Sequence, residues 1–387
     1  MILTQCAVCA TELGLTLGKK CGRCSTRYCG PECQLQHWKE GGHDKLCKKI
    51  KKSGGAEQFN ADKNYKESVG VAVEACANDT KGQTCYICTQ ALHWKTKEGL
   101  VRGCSCRGTA GFAHVSCLAE QAKVLVADAE ERNLDDDKFE RWYSCSLCEQ
   151  EYHGVVFCAL GWACWKTYVG GLEADWARRL AMTVLGNGLS AAEKYEDALS
   201  VREVEMSMVV RLGGSERNIL VAQGNLANTY SSLRRDEEAL SMRHKVYSGH
   251  LHLNGEEHFD TLREADNYAM SLNDLEHFEE ARSLLRKTMP VARRVLGASH
   301  DITIRMSRSY ARALYNDSDA TLDDLREAVE TLEETERTAR RVFGGAHPLT
   351  GRIERSLHNA RAMLLFREGD DVSSVCEAVE KMTPGGA

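Results

Sequence analysis

The spacing of cysteine and histidine between residues 85 and 148 limits what this chain can fold into more than any other feature. The order is Cys85-x2-Cys88, fifteen residues, Cys104-x-Cys106, seven residues, His114-x2-Cys117, twenty-seven residues, Cys145-x2-Cys148. Seven thiols and one imidazole in four ordered pairs are enough ligands for two four-coordinate zinc ions. A second set precedes it: Cys6-x2-Cys9, eleven residues, Cys21-x2-Cys24-x4-Cys29-x3-Cys33, nine residues, His43-x3-Cys47. That adds two more sites, so the expected content is four Zn²⁺ per chain. His37 and His43 compete for the histidine position that precedes Cys47.

Eighteen cysteines would also suit a secreted disulfide scaffold. Most of them, however, lie in the two compact clusters with Cys-x2-Cys spacing, and MILTQCAVCA lacks the basic start and long apolar run of a signal peptide. Reduced thiols holding zinc in the cytoplasm or nucleus are therefore expected. The longest apolar stretch, Val155 to Val169, carries Lys166 and is too short to span a bilayer, so a buried helix and no membrane association are expected. The formal charge of −6 gives no reason to expect nucleic acid. Residues 1–52 carry ten Lys/Arg against four Asp/Glu, but seven thiolates around two zinc ions offset much of that surplus. Cys158, Cys164 and Cys376 have apolar or helical surroundings and no adjacent histidine, which argues against a nucleophilic cysteine.

The ligand order of 85–148 resembles the RING-variant (RING-CH) fingers, as do Gly108-Thr109 after the Cys-x-Cys pair and Leu118 after His-x2-Cys. A PHD finger uses the same eight ligands, with its third and fourth cysteines usually further apart and its histidine sooner. The resemblance implies a cross-brace, with Cys85, Cys88, His114 and Cys117 on one ion and Cys104, Cys106, Cys145 and Cys148 on the other. It also implies docking of a ubiquitin-conjugating enzyme (E2) through Ile87 and Trp142. Against ligase activity stand Glu149, where active RINGs often carry a cation, and a final pair, CSLC, without the common proline.

CSTRYCGPECQLQHW, within residues 6–47, is similar to the MYND finger. That resemblance implies interleaved sites, with Cys6, Cys9, Cys29 and Cys33 on one zinc and Cys21, Cys24, His43 and Cys47 on the other. It also implies peptide capture at Gln34 and Trp38, with Gly22 in place of an expected small polar residue. So short a segment has little apolar core, and metal binding must supply its folding free energy.

From about residue 171 a repeat appears. KYEDAL (194–199), RDEEAL (235–240) and HFEEAR (277–282) place Ala198, Ala239 and Ala281 in register, and GSERN, GEEHF, LGASHD and FGGAHP keep the same phase. The step from His300 to His347 is longer, with NDSDA (316–320) as the inserted loop. A period near 42 with Ala-Leu helix pairs resembles kinesin-light-chain-type tetratricopeptide repeats. Small residues at Gly186, Ala227, Ala269 and Ala311 are expected where paired helices cross, and Ala198, Ala239, Ala281 and Ala328 do the same on second helices. Asn225, Asn228 and Asn267 fall on first helices and are the expected peptide contacts; His300 and His347 are expected to make structural hydrogen bonds in turns.

The fold class expected is mainly α, with two small cross-brace zinc fingers followed by an α-solenoid. Residues 1–50 form the first finger, 51–80 a linker with a short helix near Ser68–Ala77, 81–153 the second finger, and 154–387 the repeats with a capping helix pair over 349–382. The function expected is protein interaction, as a RING-CH-type ubiquitin ligase (E3) or as a non-catalytic adaptor. Its partners would be proteins: client peptides and a ubiquitin-charged E2.

Overall fold

A computed structural model describes residues 6–11, 13, 17–132 and 136–382; the side chains at 136–137 and from 370 onward, Cys376 among them, lie outside that description, as does Asp135. The chain divides into two compact units, Met1–Leu233 and Arg234–Ala387.

The first unit opens with a two-stranded hairpin, β1 (Lys19–Lys20) against antiparallel β2 (Arg27–Tyr28), with Lys19 opposite Tyr28. Helices α1 (Pro31–Lys39) and α2 (His43–Lys52) follow, and Pro31 starts α1 where a missing N–H costs nothing. Leu13, Tyr28, Ile50 and Ala56 pack with Cys6, Cys21, Cys24 and Cys47 into a small core of their own. Next comes α3 (Ala56–Cys76), where the sequence suggested a linker with one short helix. It is long because Ala61, Tyr65, Val69 and Ala72 recur at helical spacing and bury one face against α5 (Gly154–Tyr168). Between them lie α4 (Val115–Glu131) and a 3₁₀ turn at Asp136–Trp142.

Helix α5 is the apolar stretch read from the sequence, and every residue from Val156 to Trp165 is buried. Among the described residues no helix is long and apolar enough to cross a membrane. The helix is apolar all round because it packs against α3, α4 and α6 (Trp176–Ala191). It meets α6 at close range: a Cβ on Gly188 would lie 2.7 Å from the Phe157 carbonyl oxygen, and one on Gly161 would lie 3.1 Å from Leu185 Cα. Helices α7 (Tyr195–Arg211) and α8 (Glu216–Ser232) complete the unit. One continuous core runs from α3 through the second finger to α7, so that finger shares its interior with the first repeat helices.

The second unit contains α9 (Asp236–Asn254), α10 (Phe259–Asp274), α11 (Phe278–Val295), α12 (Asp301–Tyr315), α13 (Leu322–Val342) and α14 (Pro348–Met382). Consecutive helices pack in antiparallel pairs, and the first helix α12 also touches the first helices on either side, α10 and α14. The small residues expected at crossings are buried throughout: Ala227, Ala269 and Ala311, with Ala198, Ala239, Ala281 and Ala328. The expected capping pair over 349–382 is instead a single helix, α14, with no proline between Leu349 and Met382 to break it.

The repeat histidines prove to be helix N-caps. His258 Nδ1 accepts the Asp260 N–H at 3.1 Å, His300 Nδ1 that of Ile302 at 3.2 Å, and His347 Nδ1 that of Leu349 at 3.2 Å. Each satisfies an amide that no helix carbonyl can reach. Before the second helices α7, α9 and α11 a non-glycine residue takes positive φ: Glu193 at 59°, Arg234 at 62°, Glu276 at 63°. His300→Ala is expected to destabilise the second unit by about 1 kcal/mol in thermal unfolding, while His300→Asn recovers most of it. Equal losses for both variants would show that the cap contributes little.

Candidate metal centres and binding surfaces

Four turns of identical backbone design hold the Cys-x2-Cys pairs. The first cysteine's N–H donates to the carbonyl five residues on, at 2.8–3.0 Å: Cys6 to Thr11, Cys21 to Thr26, Cys85 to Gln90 and Cys145 to Gln150. Its carbonyl accepts from the residue after the second cysteine, which takes positive φ: Ala10 at 55°, Ser25 at 62°, Thr89 at 61° and Glu149 at 55°. A fifth turn, His93–Glu98, copies this pattern, but Thr96 stands at its second ligand position and bonds His93 Nδ1 at 2.8 Å. Turns of this kind aim two side chains at one point.

The sixteen residues converge in four groups whose ligand atoms lie within 4.8 Å of one another: Cys6, Cys9, Cys29, Cys33; Cys21, Cys24, His43, Cys47; Cys85, Cys88, His114, Cys117; and Cys104, Cys106, Cys145, Cys148. Sulfurs about 2.3 Å from a tetrahedral zinc are about 3.8 Å apart, and a sulfur and a nitrogen about 3.6 Å. The distances found are 3.5 Å for Cys9–Cys29, 3.8 Å for Cys21–Cys47, 3.8 Å for Cys106–Cys145 and 3.6 Å for Cys117 Sγ–His114 Nδ1. His114 presents Nδ1, and its Nε2 lies 3.4 Å from the Ala91 carbonyl, a partner that fixes the tautomer. His43 presents Nε2, 3.4 Å from Cys24 Sγ. His37 stays outside, its ring 4.9 Å from that of His43 and its Nδ1 3.0 Å from the Tyr28 hydroxyl.

The electrostatics of the thiols also call for a cation. Hydrogen bonding with Cys104 draws the Cys145 thiol down to about 5, whereas burial and then the Cys145 charge push Cys106 up to about 12. In the first finger the Thr11 hydroxyl helps draw Cys9 down to about 6, while the hydrogen bond with Cys29 pushes Cys33 up to about 12. One thiolate forms readily and hinders the next; four together need a divalent ion. The residues therefore fit zinc at all four sites.

The surfaces depart from the sequence expectation at two residues. Ile87 is 37% exposed, but Trp142 is 0% exposed, its ring 5.9 Å from Tyr168 of α5 in an edge-on arrangement. A ring enclosed by the helical core cannot dock a partner, so Trp142 is a packing residue. Leu147, which the sequence reading passed over, is 51% exposed. It precedes the last ligand as Ile87 precedes the second, and that positional symmetry was the available signal. The two knuckles are tied together: the Tyr86 hydroxyl lies 3.1 Å from Ser146 Oγ and donates to Gln121 Oε1 of α4 at 3.3 Å.

On α1, Gln34 is half-buried and Trp38 is 42% exposed, one turn apart on the same face. Asn228 of α8 is exposed and Asn225 is half-buried. Asn267 is not available: it is buried on α10, its Nδ2 donates to Glu264 at 3.1 Å and its Oδ1 accepts from Arg305 at 3.0 Å. Cys158 and Cys164 are buried, and burial pushes both thiols up, as expected of packing residues.

Fingers of two kinds and a helical repeat place this chain among zinc-binding proteins of the protein-interaction class. Residues 6–47 match the family model of the MYND finger, 85–148 that of the RING-variant domain, and 219–260 and 265–301 that of a tetratricopeptide repeat. No curated protein matches the chain. Among solved structures it is similar to a kinesin light chain with nearly identical tetratricopeptide-like repeats from Podosopora anserina, at 18% identity and TM-score 0.37, covering 59% of this chain and 97% of that one. It is also similar to BtubC from P. vanneervenii, at 14% identity and TM-score 0.36, covering 70% and 95%. A third is the TPR2AB domain of yeast Sti1 in complex with an Hsp90 peptide, at 14% identity and TM-score 0.21, covering 64% and 99%.

Proposed function

We propose that this chain is a RING-CH-type ubiquitin ligase, in which the 85–148 finger docks a ubiquitin-charged E2 while the first finger and the repeats recruit clients. One observation carries the reading: Ile87 and Leu147, each just before the second cysteine of its knuckle, are exposed apolar points held in fixed relation by the tie from Tyr86 to Ser146 and Gln121. A rigid apolar pair on zinc-tethered turns suits the binding of another protein's loops. Catalysis would then come from positioning the E2 thioester for attack, with no covalent intermediate on this chain. The clients would be peptides meeting Gln34 and Trp38 on α1, and Asn225 and Asn228 on α8. Zinc thiolates persist where thiols are kept reduced, which favours the cytoplasm or nucleus.

The adaptor reading has its own support in Glu149, an acid where active RINGs often carry a cation. In-vitro autoubiquitination with a panel of E2 enzymes separates the two. The wild type is expected to build chains with at least one E2, and Ile87→Ala to lower that rate by ~10-fold or more at unchanged zinc content. No chains with any E2 would establish the adaptor; full activity of Ile87→Ala would move the docking surface elsewhere.

A further inference from the structure

The second unit carries a row of arginines along its first helices. On α12, Arg305, Arg308 and Arg312 recur at i, i+3 and i+7 and share one stripe. Two of the three are neutralised by α10: Arg305 pairs with Asp266 at 2.9 Å, and Arg312 with Asp274 at 2.8 Å. Asp266 is itself engaged further, since it also accepts from Ser309 at 3.0 Å.

Arg308 has no carboxylate partner among the described residues. Its Nε donates to Ser356 Oγ of α14 at 3.1 Å, which lays the guanidinium over the stripe of α14 that carries Arg352 and Arg355. Neither Arg352 nor Arg355 makes an ion pair with a described residue, and both are exposed. The one acid of α14 nearby, Glu354, faces the other way and binds Arg340 at 2.7 Å. Three positive charges therefore gather without an ion-pair partner of their own among the described residues, in a unit where most other arginines are paired. The Asp266 carboxylate attracts Arg308 and Arg352 but is bonded to Arg305 and Ser309. Repulsion among the arginines registers on the side chains themselves. Arg308, only half-exposed, is held below the ordinary arginine value, first by burial and then by Arg312 and, more weakly, Arg355, with the Asp266 carboxylate pulling the other way.

Like charges held together without partners are costly, and the arrangement makes sense as a preformed receptor for an anion. Lysine would satisfy a diffuse acidic partner equally well. Guanidinium forks instead match the oxygens of a tetrahedral dianion, to which each can donate two parallel hydrogen bonds. A phosphoryl group brings nearly two charges to one point, whereas a single carboxylate brings one.

We propose that Arg308, Arg352 and Arg355 form a phosphoryl-binding site on the wall made by α12 and α14, and that its ligand is a phosphorylated serine or threonine on an extended client peptide. The peptide part rests on the client-recruiting role proposed above; the phosphoryl part rests on the three arginines alone. Recruitment would then depend on prior action of a protein kinase on the client.

The test uses the full zinc-loaded chain and two kinds of probe. Degenerate peptide libraries with a fixed central phosphoserine, serine or glutamate are compared by fluorescence anisotropy. Free phosphoserine is followed separately by ³¹P line broadening. The phosphoserine library is expected to bind at least ~10-fold more tightly than the other two, and Arg352→Ala/Arg355→Ala to abolish that advantage. The same double substitution should remove the broadening of free phosphoserine. Both side chains are exposed and without an ion-pair partner among the described residues, so its thermal unfolding should match the wild type. Equal binding of all three libraries would overturn the phosphoryl site and leave peptide recruitment standing, as would equal binding of the phosphoserine and glutamate libraries. Broadening of free phosphoserine without peptide binding would keep the site and remove the peptide. No response to either probe would overturn both.

Discussion

Chelation of zinc at neutral pH is expected to release four ions per chain and to unfold the fingers together with the helices that share their core. Structural zinc contributes about 10–16 kcal/mol per site in small fingers, more than the net stability of most domains. The second finger cannot be lost alone, because Cys85, Cys104, Cys117 and Cys145 lie in one core with Trp142, Trp162, Trp165 and Leu185. All six tryptophans lie in the first unit, so their fluorescence reports on it without interference from the second. A large red shift should accompany metal release, measured with a chromophoric chelator, while the helices of α9–α14 keep part of the far-ultraviolet signal. Cys145→Ser should behave as partial chelation, removing one ligand of the fourth site. Unchanged tryptophan emission in a metal-free chain would show that the thiol clusters are held by packing and that the metal is incidental.

Arg202→Ala is expected to cost about 3–5 kcal/mol of first-unit stability, the usual penalty for leaving a buried charge without its partner. Arg202 is 2% exposed on α7 and donates to Glu205 Oε2 at 2.7 Å and to Asn187, while Glu205, equally enclosed, also accepts from Thr183. Gly186 makes the room: a Cβ there would sit 2.5 Å from Arg202 Cζ. The repeat therefore departs from alanine at this one crossing, because a guanidinium fills the space that a methyl group fills at Ala227, Ala269 and Ala311. Replacing both charges, as in Arg202→Met/Glu205→Leu, should recover most of the loss, since an apolar pair of similar volume avoids the desolvation cost. Urea unfolding followed by tryptophan emission measures both. A loss below about 1 kcal/mol for Arg202→Ala would mean that water reaches Glu205.

The ligand sets were legible because coordination writes itself into spacing: two cysteines three positions apart can close only a few turn geometries. The helix pairs were legible for a similar reason, since a small residue recurring every 41 or 42 positions marks a crossing that each hairpin must repeat. The length of α3 was less visible, because its polar composition masks a face of Ala61, Tyr65, Val69 and Ala72 that has value only once α5 is opposite. Trp142 shows the same difficulty, since its neighbour Tyr168 lies 26 positions further along the chain.

By itself, then, the sequence determined the sixteen ligands, the mainly helical class and the phase of the repeat, all properties of residues near one another along the chain. Only the tertiary structure decided which groups beside those features stay free to meet a partner. It exposed Ile87 and Leu147 and enclosed Trp142, bound Asn267 to Glu264 and Arg305, and set Arg308 against Ser356 with no carboxylate among the described residues to pair it. The reason is that burial and charge balance are set by whichever element packs opposite, and that element is rarely a neighbour in sequence.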